Sequence, residues 1–227
     1  AHLRAPAYDP AGRVHTFCHA VRGAWHVMGV TQGAGLSLQW FRNQLAPGAS
    51  YDDLTTEAAN SPAGADGLFW LPYLMGERTP HLDASARGGW IGLTAKHTRA
   101  DLIRALLEGV SYSQKDCLDI VEELSGTVES VRVSGGGARS AFWRQMLADV
   151  FGKRVAVLET QEGSAYGAAL LALAGTGQYG STEDVCKAAI HEIESIEPRT
   201  REQNVYAQGH RLYHSLYPAL RGFFHSI

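Results

Sequence analysis

Apolar residues recur along the chain with two different periods, and the two periods follow one another. Val131 and Val133 flank a polar arginine, as the residues of a half-buried strand do. After three glycines, apolar residues recur at steps of three and four from Trp143 to Phe151, which predicts a helix with one buried face. The stretch 131–151 is therefore predicted to form a strand, a glycine turn and a helix.

The same patterns predict the other elements. Two β-rich runs at 14–20 and 24–30 indicate a hairpin, whereas residues 1–12 are typical of an exposed lead-in and residues 72–90 of an irregular loop. Helices are predicted at 33–45, 51–60, 98–126, 164–174, 182–189 and 202–224, and strands at 68–71 and 155–158. Strands that alternate with helices indicate an α/β domain with a mixed sheet flanked by helices.

The glycine turn is the first candidate site. Gly135, Gly136 and Gly137 carry no side chains, and the first N–H groups of a helix have no partners within the helix. A planar or anionic ligand could therefore approach the main chain, which makes a nucleotide site one hypothesis and a tight connection without a ligand the other. Gly33 and Gly35 open a second helix in the same way. The GTGQYG sequence at 175–180 follows a helix and is interpreted as a helix end.

Two further groups of residues resemble reactive sites. His15, Cys18 and His19 could ligate a metal, but alternation along a strand places Cys18 on the opposite face, so ordinary sheet packing is favoured.

The loop 72–90 carries the second group. Glu77, Arg78, His81 and Asp83 could serve acid–base or ion-pair chemistry. The simpler alternative is a charged loop held in place by Glu77 and Arg78.

Composition narrows the classes of protein. The 227 residues suit one large domain or two small ones, with 45% hydrophobic and 19% charged residues and a net charge of −3. A net charge of −3 disfavours binding to nucleic acid, which usually requires a basic surface. No apolar run is long enough to span a membrane. Three scattered cysteines indicate reduced thiols and a cytoplasmic location. The first residue is Ala1, as in a piece of a longer protein.

Four stretches carry a resemblance to a known family. They read FCHAVRGAWHVMGV with SLQW, FWLPYLMGERTPH, GGWIGLTAKHTRADLIRALLEGV and SGGGARSAFWRQMLADVFG. In these stretches the chain resembles the C-terminal domain of the FGGY carbohydrate kinases, and most of all the xylulokinases among them. The resemblance implies a ribonuclease H-like fold of the actin-like ATPase superfamily, with residues 1–227 as the nucleotide-binding domain.

The resemblance also implies an activity. The reaction would transfer the γ-phosphate of ATP, with Mg²⁺, to a pentulose, D-xylulose giving xylulose 5-phosphate. Another ketose such as ribulose, and a non-catalytic nucleotide-binding or dimerisation module, are the alternatives. The family's catalytic Asp and its N-terminal sugar-binding domain would precede Ala1, so the chain by itself is expected to be inactive, with no catalytic residue and no metal ligand of its own. A homodimer is implied as well.

By the same resemblance, ATP would contact Gly136, Gly137 and Ala138, with Gly35 and Gln39 contributing from the second glycine-opened helix. Related glycerol kinases carry an Asn where this chain has Ala141, so that contact is not expected here.

Overall fold

The computed structural model describes residues 1–160 and 163–227. The strands are β1 (His2–Leu3), β2 (His15–Cys18), β3 (Trp25–Met28), β4 (Phe69–Leu71), β5 (Gly89–Ile91), β6 (Ser130–Val133), β7 (Arg154–Leu158) and β8 (Glu192–Ile196). The helices are α1 (Ala34–Leu45), α2 (Tyr51–Ala58), α3 (Arg99–Ser125), α4 (Ala141–Phe151), α5 (Gly163–Gly175), α6 (Thr182–Ala189) and α7 (Thr200–Phe224). Every helix and strand predicted from periodicity is present close to its predicted position.

The strands form three small sheets. Strands β1, β3 and β2 pair antiparallel in that order, and β4 pairs antiparallel with β5. In the third sheet β6 runs parallel to β7, with Val131 opposite Val155, and β7 runs antiparallel to β8. This sheet is mixed and helices lie beside it, so the predicted α/β class with a mixed sheet is confirmed.

Three strands were not predicted. Residues 1–12 contain β1, which pairs with β3, and the loop 72–90 runs into β5. Strand β8 has the sequence EIESI, in which only Ile196 is buried. Its first four residues are exposed, so its hydrophobic pattern is weak.

Helix α3 is the centre of the core. Its start has the predicted capping box, in which Oδ2 of Asp101 accepts the backbone N–H of Thr98 at 2.7 Å and its hydroxyl at 2.8 Å. Gly109 lies against β4, where an added Cβ would be 2.1 Å from the carbonyl oxygen of Trp70. Only glycine permits this approach. The buried apolar side chains of α3 include Ile103, Leu106, Leu107 and Val110.

Helix α7 packs against the loop that follows β4. The hydroxyl of Tyr217 donates to Asp83 at 2.7 Å, and the hydroxyls of Tyr213 and Tyr73 are 3.0 Å apart. Near its start, the backbone N–H and guanidinium of Arg199 donate to the buried carboxylate of Asp149 on α4. Polar contacts therefore hold α7 at both ends.

Helix α5 differs from the other helices. Its sequence, GSAYGAALLALAG, is apolar all round, yet Leu170 is its one buried residue. Leu171 is 45% exposed, and Ala168, Ala169 and Ala172 are exposed as well. No helix in the described part of the chain is both long and apolar enough to cross a membrane.

Candidate functional site

Two cavities adjoin at the glycine turn after β6, with volumes of about 520 and 620 Å³. Gly35, Gly136 and Gly137 line both cavities. Ala138 lines the smaller cavity, and Gln39 lines the larger one. The fold therefore brings together all five residues that the sequence analysis assigned to ATP, from segments about a hundred residues apart.

The turn itself is a single 3-10 turn, Gly136–Arg139, that joins β6 to α4. Gly135 enters it with φ of +82°, a conformation that favours glycine. A Cβ added to Gly136 would meet nothing within 4 Å, so its main chain is open to a ligand. A Cβ on Gly137 would lie 3.1 Å from the ring of Trp143, so this glycine also makes room for the tryptophan.

Side chains below the turn hold it in place. The indole N–H of Trp143 donates to the buried hydroxyl of Ser111 on α3 at 3.1 Å. Ser140 caps α4 by accepting the backbone N–H of Trp143 at 3.3 Å. The guanidinium of Arg144 donates to the carbonyl oxygens of Ala138 and Arg139 at 2.8 and 3.1 Å. These hydrogen bonds hold the side of the turn that faces away from the cavities.

Helix α1 forms the facing wall. It begins after Gly33, where an added Cβ would be 1.7 Å from the carbonyl oxygen of Pro72, so a side chain cannot be accommodated. Gly35 in the first turn has nothing within 4 Å of an added Cβ, and Gln39 is exposed one turn further on. Of the two glycines that open this helix, Gly33 serves packing and Gly35 leaves open space.

Sequence reasoning missed a third wall, the start of α2. Tyr51, Asp52 and Thr55 line the larger cavity together with Arg139 of the turn. The guanidinium of Arg42 lies 4.4 Å from the centre of the Tyr51 ring. The capping box of Ser50 and Asp53 locates the helix in the sequence, but no local pattern shows that it approaches the turn.

The loop candidates lie outside both cavities. Glu77 is 3% exposed, and its Oε1 accepts the backbone N–H groups of Gln32 and Arg78, each at 2.8 Å. Burial raises the pKa of Glu77 to about 7. The guanidinium of Arg78 contacts Nε2 of His15 at 2.7 Å. Glu77 and Arg78 thus fix this loop to neighbouring segments, which is the simpler of the two interpretations.

The other two loop candidates pack against α7. His81 stacks on Tyr217 with ring centroids 3.6 Å apart, and burial lowers its pKa to about 4. Burial raises the pKa of Asp83, but hydrogen bonds from Tyr217 and His225 outweigh it and hold the value at about 2. Both side chains serve the packing of the last helix.

The histidine-rich hairpin follows ordinary sheet geometry. Cys18 is opposite Trp25, and Phe17 is opposite His26, in the register of β2 and β3. Within residues 1–160 and 163–227, no cluster of three or more His, Cys, Asp and Glu side chains is arranged to hold a metal ion. Cys18, Cys117 and Cys186 are free thiols.

Comparison with known proteins points to one family. Residues 3–176 match the model of the FGGY family of carbohydrate kinases, C-terminal domain. The xylulose kinase of Bacillus subtilis is 39% identical over 209 residues, which cover 92% of this chain and 42% of that protein. The chain thus spans less than half the length of the curated relatives it matches.

Solved structures agree with the sequence match. The xylulose kinase of Rhodospirillum rubrum superposes with a TM-score of 0.86 and 35% identity, covering 99% of this chain and 45% of that one. The ligand-bound xylulose kinase of Lactobacillus acidophilus gives a TM-score of 0.91 at 25% identity, over 99% of this chain and 46% of that one. The expected ribonuclease H-like fold of the actin-like ATPase superfamily is therefore confirmed, and the chain belongs to the FGGY family of carbohydrate kinases, as a C-terminal domain.

Proposed function

We propose that residues 1–227 form the nucleotide-binding domain of a sugar kinase that transfers the γ-phosphate of ATP to D-xylulose. The observation that carries the proposal is the meeting of Gly35, Gln39, Gly136, Gly137 and Ala138 around two adjoining cavities. The names of the relatives, which are mostly xylulose kinases, support the choice of sugar.

The cavities suit a nucleotide for physical reasons. At Gly35 and Gly136 an added Cβ would enter open space, so a flat base or ribose can lie against the main chain there. The exposed amide of Gln39 can donate and accept hydrogen bonds, which a nucleoside requires. Together the two helices and the turn would bind and orient the nucleotide and exclude water from one side of it.

Mg²⁺ would neutralise charge on the transferred phosphate when bound. Among the described residues that line the two cavities, one carries a carboxylate, Asp52 in the larger cavity. One carboxylate cannot fill the coordination sphere of Mg²⁺, which in kinases is bound largely by the substrate phosphates and water. We therefore assign the metal to the phosphates of ATP and derive no step through it from this chain.

The remaining parts of the activity are assigned to sequence outside residues 1–227. The chain spans 43% of the length of the Staphylococcus epidermidis xylulose kinase, which leaves room for a sugar-binding domain in such a protein. We propose that this domain supplies the general base, so that the 227-residue chain by itself does not phosphorylate sugar. We also propose that the full-length protein is a homodimer, which light scattering tests, and that it is cytoplasmic.

A glycine substitution tests the nucleotide site. In the full-length protein, Gly136→Val is expected to raise KM for ATP about tenfold or more, with KM for the sugar unchanged, because the valine fills space meant for the nucleotide. Gly222→Val is the matched control, since its added side chain also meets nothing within 4 Å but lies on α7 away from both cavities. Equal effects of Gly136→Val on both substrates would contradict the assignment.

A substrate panel tests the sugar and the alternative function. Full-length protein is assayed with ATP and D-xylulose, D-ribulose or glycerol, and D-xylulose is expected to give the highest kcat/KM. Equal or better activity with ribulose would refute the choice of pentulose. Nucleotide binding in calorimetry without turnover of any sugar would favour a non-catalytic nucleotide-binding module.

A further inference from the structure

Arg144, on the first turns of α4, connects the glycine turn to an edge strand. Its Nη1 donates to the carbonyl oxygen of Ala138 at 2.8 Å and to that of Arg139 at 3.1 Å. Its Nη2 donates to Oε2 of Glu194 on β8 at 2.7 Å. The side chain of Arg144 is 14% exposed and that of Glu194 is 45% exposed, so the bond to Ala138 is partly buried and the ion pair with Glu194 lies at the surface.

The turn depends on such outside contacts. Within it, the backbone N–H of Ala138 donates to the carbonyl of Gly135 at 3.1 Å. Three successive glycines have the largest backbone freedom of any residues, so their own conformational preference fixes little. Hydrogen bonds from a charged donor are stronger than neutral ones, and Arg144 makes two of them to the end of the turn.

We infer that Arg144, held by Glu194, is a positioning residue that fixes the main chain of Gly136–Arg139 in the shape that receives the nucleotide. This inference rests on the proposed function. Arg144 is not among the residues that line the two cavities, so it acts through the turn and not by touching the ligand. Strand β8 thereby contributes to nucleotide affinity through Glu194, although the strand lies outside the site.

The chain offers a matched control in Arg154. Its Nη1 donates to Oε2 of Glu192 at 2.9 Å, so it also ties a neighbouring element to β8 through an ion pair. It lies on β7, and among the described residues its side-chain hydrogen bonds go to Glu192 and Ser195 on β8 and not to the turn. A loss of general stability at this sheet edge would follow from either arginine, whereas a loss of nucleotide affinity would follow from Arg144 alone.

The experiment uses the full-length protein with Arg144→Ala, Arg144→Lys, Glu194→Gln and Arg154→Ala. For each variant, ATP binding is measured by calorimetry, together with kcat and KM for ATP and for the sugar. Arg144→Ala is expected to raise Kd and KM for ATP about tenfold or more, with KM for the sugar within about twofold. Arg144→Lys is expected to have an ATP affinity between those of the wild type and Arg144→Ala, because an ammonium cannot bind two carbonyls and Glu194 in the planar geometry of arginine.

Two readouts separate positioning from general packing. Free guanidinium ion is expected to restore ATP affinity in Arg144→Ala and to leave Arg154→Ala unchanged. Glu194→Gln is expected to weaken ATP binding less than Arg144→Ala. A double variant that combines Arg144→Ala with Glu194→Gln is expected to bind ATP no more weakly than Arg144→Ala alone, because both residues act through one set of bonds.

The outcomes distinguish this inference from the proposed function. Wild-type protein that binds no nucleotide would overturn the proposed function, and the inference with it. Wild-type protein that binds ATP, with Arg144→Ala binding equally well or raising both KM values by one factor, would overturn the inference alone. Should Arg144→Ala fail to fold, wild-type ATP affinity in Arg144→Lys would overturn it.

Discussion

Glu77→Gln should stabilise the protein at alkaline pH although it removes a charged residue. The pKa of Glu77 is raised from 4.5 to about 7, chiefly by burial and with a contribution from Asp116. One pKa unit corresponds to about 1.4 kcal/mol, so the ionised carboxylate costs up to about 3 kcal/mol of folding free energy well above pH 7. The glutamine keeps an oxygen that can accept the N–H groups of Gln32 and Arg78.

The sign of the pH dependence follows from the direction of the shift. The folded protein binds the Glu77 proton more tightly than the unfolded chain, so this stabilising contribution is complete below about pH 4.5 and is lost as the pH rises through 7. Glu77→Gln should therefore match the wild type near pH 5 and exceed it by up to about 3 kcal/mol at pH 8.5. Urea unfolding of the full-length protein, followed by tryptophan fluorescence at the two pH values, measures the difference.

A control with the opposite sign is available in Glu122. Burial raises its pKa, but the ion pair with Lys153 at 2.7 Å, the backbone N–H of Val128 and the charge of Lys115 together outweigh burial and hold the pKa below the usual range. Glu122→Gln should therefore destabilise the protein at pH 8.5. The reasoning fails if Glu77→Gln changes the free energy of unfolding by the same amount at pH 5 and pH 8.5.

Two further predictions concern packing and the site. Gly33→Ala should destabilise the protein by at least about 3 kcal/mol, because its Cβ would be 1.7 Å from the carbonyl oxygen of Pro72, whereas Gly35→Ala should keep the melting temperature and raise only KM for ATP. Equal melting temperatures for the two variants would contradict this. Asp149→Asn should lower stability by about 2 kcal/mol, because the buried carboxylate accepts the charged bonds of Arg199, and an unchanged urea midpoint would refute it.

Local patterns were sufficient for most of the fold. The apolar stripe of α3 and its capping box place that helix within a residue of its observed start, and the alternation at Val131 and Val133 locates β6. Strand β8 could not be found in this way. Its partner strand and its position at the sheet edge are long-range features, and its own sequence alternates too weakly.

Backbone chemistry alone predicts open main chain at the glycine turn and at the start of α1. Glycines after a strand mark open main chain, and Gly35 and Gly136 are open in the structure. The α2 wall and the contact of Arg144 with the turn depend on how distant segments pack, which no single-sequence period encodes. Gly137 was assigned to ligand contact alone, but its missing side chain also accommodates Trp143.

Helix α5 has a practical consequence for handling the chain. An exposed helix of alanine and leucine presents an adhesive surface, because water is released when such side chains meet another apolar surface. The purified 227-residue polypeptide should therefore precipitate or self-associate as its concentration increases, and should enhance the fluorescence of a dye that binds apolar surfaces. Leu171→Lys, at the exposed centre of the helix, should raise the solubility limit.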